Sequence, residues 1–167
     1  MNRIVVLGGS GFVGRALCRR VAGRWPALHV LVPTRQPGHA AALRTVPTVD
    51  VVTANVHDLA ALSALLAGAD AVVNLVAILH GSAAEFDRTH VALPRTVAAA
   101  CRATGVTRLL HVSALGVAVD APSLYLRSKA AGERVLQDSG LALTLLRPSV
   151  IFGAEDRFLN LFADLQR

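Results

Sequence analysis

The chain contains one tyrosine and one lysine, and they lie four residues apart in Tyr125-Leu-Arg-Ser-Lys129. On a helix this spacing puts both side chains on one face. A phenol is a poor proton donor or acceptor at neutral pH, because its pKa is about 10. A neighbouring ammonium favours the phenolate and brings that pKa toward working range. Ser113 precedes Tyr125 by twelve residues and closes the apolar run of Leu109–Val112. At the C-terminal end of a strand, a hydroxyl faces the crevice where α/β sheets bind ligands, and there it could polarise a carbonyl. Ser113, Tyr125 and Lys129 are therefore the candidate catalytic set, for proton transfer at a carbonyl or an alcohol.

A second constellation opens the chain. Ile4-Val-Val-Leu-Gly-Gly-Ser-Gly-Phe-Val-Gly14 reads as a strand, a glycine-rich turn and the start of a helix. Both G-x-x-G-x-x-G (Gly8, Gly11, Gly14) and G-x-G-x-x-G (Gly9, Gly11, Gly14) fit it. Glycines serve the tight turn, the close approach of a pyrophosphate to the backbone, and close helix–strand packing. The helix N-terminus then offers free N–H groups and partial positive charge to phosphates. Gly8, Gly9, Ser10, Gly11, Phe12, Val13, Gly14 and Arg15 are the expected dinucleotide cradle. A dinucleotide here makes Lys129 a candidate for the nicotinamide ribose, and an oxidised nicotinamide ring adds to the pull on the Tyr125 proton.

The second strand ends at Val32-Pro-Thr-Arg35, where sites that prefer NAD usually hold a carboxylate for the ribose diol. The first acidic residue of the chain is Asp50. Arg35, with Arg15, instead suits a 2′-phosphate, which a guanidinium fork matches. NADP(H) is thus preferred, with NAD(H) left open. After the third strand, Asn55-Val-His-Asp58 offers Asn55 and Asp58 to the adenine. Asp58 serves equally well as the N-cap of the next helix.

These residues need a scaffold, and the apolar runs supply one. Ile4–Leu7, Leu28–Val32, Val49–Thr53, Ala71–Leu75, Leu109–Val112 and Thr144–Leu146 read as strands. They are continuous Val/Ile/Leu runs, as strands covered on both faces require. Helices are predicted over 11–23, 59–67, 84–104 with a kink at Pro94, 123–139 and 156–165. Alternation of this kind gives an α/β fold, a doubly wound parallel sheet in a three-layer αβα sandwich. Residues 27–49 resist assignment, because Pro26, Pro33, Pro37 and Pro47 break any long element.

Composition sets the outer limits. The 167 residues suit one domain, and 53% hydrophobic against 17% charged excludes disorder as the main state. Cys18 and Cys101 form neither a disulfide framework nor a CxxC pair, so a reduced interior and no metal site are expected. Neither Ile4–Leu7 nor Ala69–Leu79 resembles a leader or a bilayer span. A cytoplasmic protein is expected, with peripheral membrane contact left open. The net charge is +6. From Met1 to Val49 there are seven arginines and no acidic residue, so an anionic partner is indicated. Base-specific nucleic-acid binding is not expected, because the chain lacks the aromatic clusters on which single strands stack.

The glycine loop, Asn74-Leu-Val-Ala77, Ser113, Tyr125-x-x-x-Lys129 and Arg147-Pro-Ser149 resemble, in that order, the short-chain dehydrogenase/reductase superfamily in its extended and atypical branches. More narrowly the chain looks like the bacterial relatives of the nucleotide-binding accessory subunit of mitochondrial complex I. Gly81-Ser-Ala-Ala-Glu-Phe-Asp, His111-Val-Ser-Ala-Leu-Gly and Arg147-Pro-Ser-Val-Ile-Phe-Gly carry that likeness. The resemblance implies a Rossmann domain that binds NADP(H), with Val76 and Ala77 beside the cofactor and Pro148 and Ser149 near the nicotinamide carboxamide. It implies three functions: carbonyl/alcohol oxidoreductase, non-catalytic NADPH-binding structural or assembly protein of a respiratory complex, or nucleotide-sugar epimerase or dehydratase. The family carries an asparagine where this chain has His90, so that support of the active site is expected to be lacking. Members also continue into a smaller substrate lobe, and this chain is expected to be truncated before it, residues 153–167 being its start. Phe158, Leu161, Phe162 and Leu165 share helical spacing. That face is expected to pack on a second copy of the chain, as a homodimer, or on exposed sheet.

Overall fold

A computed structural model of the chain describes residues 1–153, 155 and 156. The apolar runs become β1 (Arg3–Leu7), β2 (His29–Thr34), β3 (Val49–Thr53), β4 (Ala71–Asn74), β5 (Arg108–Val112) and β6 (Ala142–Leu146). They form one sheet in the order β3-β2-β1-β4-β5-β6. Every neighbouring pair is parallel, with Val5 opposite both Leu31 and Val72. Strand order reverses between β1 and β4. The carboxyl ends of those two strands therefore open a crevice, the place where a doubly wound sheet binds ligands.

Two apolar layers hold the sheet. On one face Cys18 and Val21 of α1 (Phe12–Arg24), with Leu43, pack on Ile4, Val6, Val30 and Val32. On the other, α2 (Leu59–Leu66), α4 (Leu93–Thr104) and α5 (Leu124–Gln137) place Leu62, Leu66, Leu93, Val97, Cys101 and Leu136 against Val5, Leu7, Val72 and Leu109. Each fully buried Leu or Val stabilises by about 1.5–3 kcal/mol, before the entropy cost of ordering it. Both cysteines are free and buried, and burial pushes their thiols up to about 11, so they act as small core residues.

The proline-rich stretch contributes a 3-10 turn, Pro37–Leu43, whose Ala40 and Leu43 are buried beside α1. The long helix predicted over 84–104 is divided. A short α3 (Ala83–Asp87) begins at a Ser82/Glu85 capping box, a π-helical turn spans Arg88–Ala92, and α4 follows with Pro94 in its first turn. Pro94 has no N–H to give the carbonyl of His90, four residues earlier, and the backbone widens there instead of bending. That carbonyl faces Gly132 of α5, where an added Cβ would lie 1.8 Å from the His90 oxygen. The turn and α5 therefore meet backbone to backbone.

Among the described residues no helix is long and apolar enough to cross a membrane. Apart from Asp156, the helix predicted over 156–165, with its apolar face, lies outside the described residues.

Candidate active site

The glycine loop leaves β1 at the crevice. Gly8 has φ +79°, in the left-handed region. A Cβ on Gly14 would sit 2.4 Å from the Gly8 oxygen and 2.5 Å from the Gly9 Cα. Helix α1 therefore begins as close to the loop as backbone allows. Its N-cap, Gly11, gives no side-chain cap, and its first turn carries no acid. The open N–H groups and the cradle suit a pyrophosphate, so the residues present fit a dinucleotide.

Two concavities flank the loop. One, of about 220 Å³, is lined by Gly8, Ser10, Thr34, Arg35, His39, His57 and Val76, with no carboxylate in its lining. His57 is held below its ordinary pKa by partial burial and by the charges of Arg88 and Arg35. The other, of about 720 Å³, is lined by Val13, Leu75, Ala77, Ser113, Tyr125, Lys129, Pro148 and Ser149, among others. The loop thus separates a cationic niche from a largely apolar cavity that gathers all three candidate catalytic residues. A further concavity of about 560 Å³, lined in part by Trp25, Val73 and Leu110, is apolar and holds none of the candidates.

Several predicted residues are engaged otherwise. Arg15 donates to the Ser10 carbonyl at 2.9 Å and pairs with Glu155 at 2.7 Å. Glu155 also pairs with Arg19. The guanidinium of Arg15 is thus committed within the protein, and Arg35 is left as the arginine lining the niche. Phe12 lies against the Gly153 backbone rather than either concavity. Asp58 caps α2, accepting from Ala61 N–H at 3.0 Å, and Asn55 accepts from His57 N–H at 3.2 Å. The N-cap reading of Asp58 is met through one carboxylate oxygen, which does not bear on its offer to the adenine. Gly9 packs on Val32, where a Cβ would meet the valine methyls at 2.7–2.8 Å.

On the cavity floor Lys129 is 2% exposed and donates to the Val112 carbonyl at 2.8 Å. Burial lowers its pKa from 10.5 to about 8, while the charge of Glu133 opposes that drop. Burial, the largest single influence, pushes the Glu133 carboxyl up, but the hydrogen bonds from Arg147, the Ser113 hydroxyl and the charges of Arg147 and His111 together outweigh it and leave the group below its usual range. The Ser113 hydroxyl helps hold Glu133 low, yet makes no well-formed hydrogen bond to any described residue. Burial raises the Tyr125 phenol above its ordinary value. In the protein alone, burial thus moves this phenol away from the phenolate, while the Lys129 ammonium donates to the Val112 carbonyl.

Sequence reasoning passed over Glu133, noted Asn74 and His111 only within motifs, and read His90 only as a missing asparagine. All four are buried beside this floor. Burial and the charge of Lys129 push His111 down to about 3 and His90 to about 4, so both are neutral at pH 7. The signal was present: Glu133 follows Lys129 by four residues, one helical turn. His90 and His111 are neighbours of Lys129 only through the fold.

A family described as NAD(P)H-binding matches residues 8–157. An Arabidopsis thaliana protein named mitochondrial NADH dehydrogenase [ubiquinone] 1 alpha subcomplex subunit 9 is 31% identical, over 93% of this chain and 40% of its own length. A 2-alkyl-3-oxoalkanoate reductase of Stenotrophomonas maltophilia is 33% identical over 94% of this chain and 53% of its own. An NADPH-dependent quinone oxidoreductase of Escherichia coli, solved with NADPH, superposes with a TM-score of 0.77 at 26% identity, over 98% of this chain and 54% of that one. The chain thus spans about half or less of the length of these relatives. With the glycine cradle, the switch-point crevice and the sheet order already in place, the match over residues 8–157 completes the assignment: the chain belongs to the NAD(P)H-binding family and is a Rossmann domain of the short-chain dehydrogenase/reductase type.

Proposed function

We propose that the chain is an NADP(H)-dependent oxidoreductase acting on a carbonyl/alcohol pair, with Tyr125, Lys129 and Ser113 as its catalytic residues. The observation that carries this reading is the convergence of those three residues on one cavity, walled by Val13 of α1 and by Pro148 and Ser149. The Gly8–Gly14 loop and the N-terminus of α1 hold the pyrophosphate. Arg35, beside His39 and His57, holds the 2′-phosphate. Val76, Ala77, Pro148 and Ser149 border the rest of the cofactor. When bound, the nicotinamide supplies or accepts hydride. Ser113 Oγ, buried and without a well-formed hydrogen bond among the described residues, donates to the substrate oxygen. Tyr125 delivers or removes the proton at that oxygen, and the Lys129 charge on the same helix favours the phenolate.

Titration with NADPH and NADH, followed by nicotinamide fluorescence, tests the cofactor assignment. NADPH is expected to bind more tightly, and Arg35→Asp to weaken it by at least about tenfold, a loss of one charge-assisted contact. NADH should be nearly indifferent to the change. Equal affinities in the unaltered chain would remove the NADP preference.

The likeness to complex I subunits favours a second reading, an NADPH-binding domain that serves assembly of, or docking to, a respiratory complex. That reading carries the expectation of a cytoplasmic, membrane-peripheral location. Tyr125→Phe separates the two. Assayed on carbonyls that include a 3-oxoalkanoate and a quinone, it should lower turnover by about 10²–10⁴ if Tyr125 moves the proton. If the domain is an assembly partner, cofactor binding and association persist and no turnover is there to lose.

A further inference from the structure

His90 occupies the π-helical turn and is 2% exposed. Its Nε2 receives the backbone N–H of Ile78 at 3.1 Å. Its Nδ1 lies 2.8 Å from the Ser128 hydroxyl, and that hydroxyl lies 2.7 Å from the Tyr125 carbonyl. The polarity of this chain of bonds is fixed. A backbone N–H only donates, so Nε2 bears the lone pair. In a neutral imidazole the proton is then on Nδ1. Ser128 accepts that proton's hydrogen bond and gives its own hydrogen to the Tyr125 carbonyl. The ring also meets the Tyr125 ring edge to face, with centroids 5.5 Å apart, and Phe86 closes the group at 5.4 Å from His90.

Three separate pieces of chain meet in this imidazole. Ile78 follows Ala77, which lines the larger cavity. The π turn carries His90. Helix α5 carries Ser128, between Tyr125 and Lys129 in sequence. We propose that His90, held as the Nδ1–H tautomer, is a positioning residue: it clamps the segment after β4 to the first turn of α5 and so fixes the Tyr125 phenol over the cavity. The expected loss of support at this position is thereby corrected, since the imidazole supplies a donor and an acceptor on opposite edges. The proposal deepens the assignment of Tyr125 as the proton-transfer group and rests on that assignment for its consequence.

The lone tyrosine makes the test direct, because its 13Cζ resonance and the tyrosinate absorbance report Tyr125 alone. Long-range 1H–15N spectra of the imidazole rings at pH 7 should give His90 a protonated Nδ1 and a bare Nε2, a pattern opposite to the tautomer that predominates in free histidine. His90→Phe keeps a ring and deletes both hydrogen bonds. Ser128→Ala deletes one, and serves if the first variant does not fold. Each is expected to hold NADPH affinity within about threefold while shifting the Tyr125 resonance and abolishing the downward movement of its pKa that NADP+ produces. His90→Asn, whose amide reaches the Nδ1 position, should restore part of that movement. An Nε2–H tautomer, or folded variants whose Tyr125 resonance and titration match the unaltered chain, would overturn the clamp. If NADP+ leaves the Tyr125 titration of the unaltered chain unmoved, the proton-transfer assignment fails, and the tautomer with the free-protein resonance still decides the clamp.

Discussion

Replacing Lys129 by methionine is expected to raise the stability of the protein at pH 7 while removing the proton-transfer chemistry proposed for Tyr125. The ammonium is buried, and the drop in its pKa from 10.5 to about 8 is the signature of a charge held at a cost. That drop corresponds to roughly 3 kcal/mol between the charged and neutral forms. Methionine fills a similar volume without the charge, but leaves the Val112 carbonyl without its donor. A net gain of about 1–3 kcal/mol is therefore expected, read as a higher urea midpoint at constant slope. The sign with pH follows from linkage. Between pH 8 and 10.5 the unfolded lysine binds more protons than the folded one, so the unaltered protein gains stability as pH rises through that window. The contribution of this group vanishes in Lys129→Met, whose stability should climb less there. Turnover, where present, should fall with the substitution, since no cation remains to favour the phenolate. A midpoint unchanged or lowered would mean that Glu133 compensates the ammonium fully. Such an opposition of stability and activity is what a working site displays.

The fold was legible because its signals are local and redundant. Most strands are short, largely apolar runs bounded by Gly, Pro or polar residues, and burial of the central ones on both faces is what marks such runs as parallel strands. The glycine loop was legible for the same reason: turn, cradle and helix start lie within seven residues. The divided helix was not. Residues 84–104 keep an apolar periodicity through the π turn, and one extra residue in a turn leaves no mark in that pattern. Pro94 gave the place to within one turn, but not the form. The commitments of side chains were least legible of all. Arg15 and Glu155 are 140 residues apart in sequence and meet only because the segment after β6 returns over the start of α1. The cap of Asp58 could be read only as one of two alternatives, and His90 reads as a substitution of no merit until Ile78 and Ser128 are seen on either edge of its ring. Spacing names residues that share an element. It does not name the partner that another element brings.

Gly132→Ala should be the most damaging single change in α5, and the reason is geometric. An alanine Cβ there would fall 1.8 Å from the His90 carbonyl oxygen and 3.0 Å from its carbon, both backbone atoms that have no rotamer to escape through. Helix α5 and the π turn must separate by more than an ångström. Overpacking of a core side chain costs about 1–3 kcal/mol, and a backbone collision belongs at or above the top of that range. The higher helix propensity of alanine returns only about 1 kcal/mol. A fall of at least about 2 kcal/mol in unfolding free energy is therefore expected. Separation also pulls Ser128 from His90 and tilts Tyr125 and Lys129 together, so the Tyr125 resonance should move even where the variant folds. Gly23→Ala is the control. It lies in α1 with nothing within 4 Å of the added Cβ, and should stabilise by up to about 1 kcal/mol on propensity alone. Urea midpoints of the pair decide the matter: opposite signs place the cost of Gly132→Ala in the contact with His90, whereas two gains would mean that α5 and the π turn are not in backbone contact. The glycine and the proline then form one device. Pro94 offers the His90 carbonyl no donor, Gly132 gives it room, and the imidazole on the same residue reaches across to Ser128 of α5.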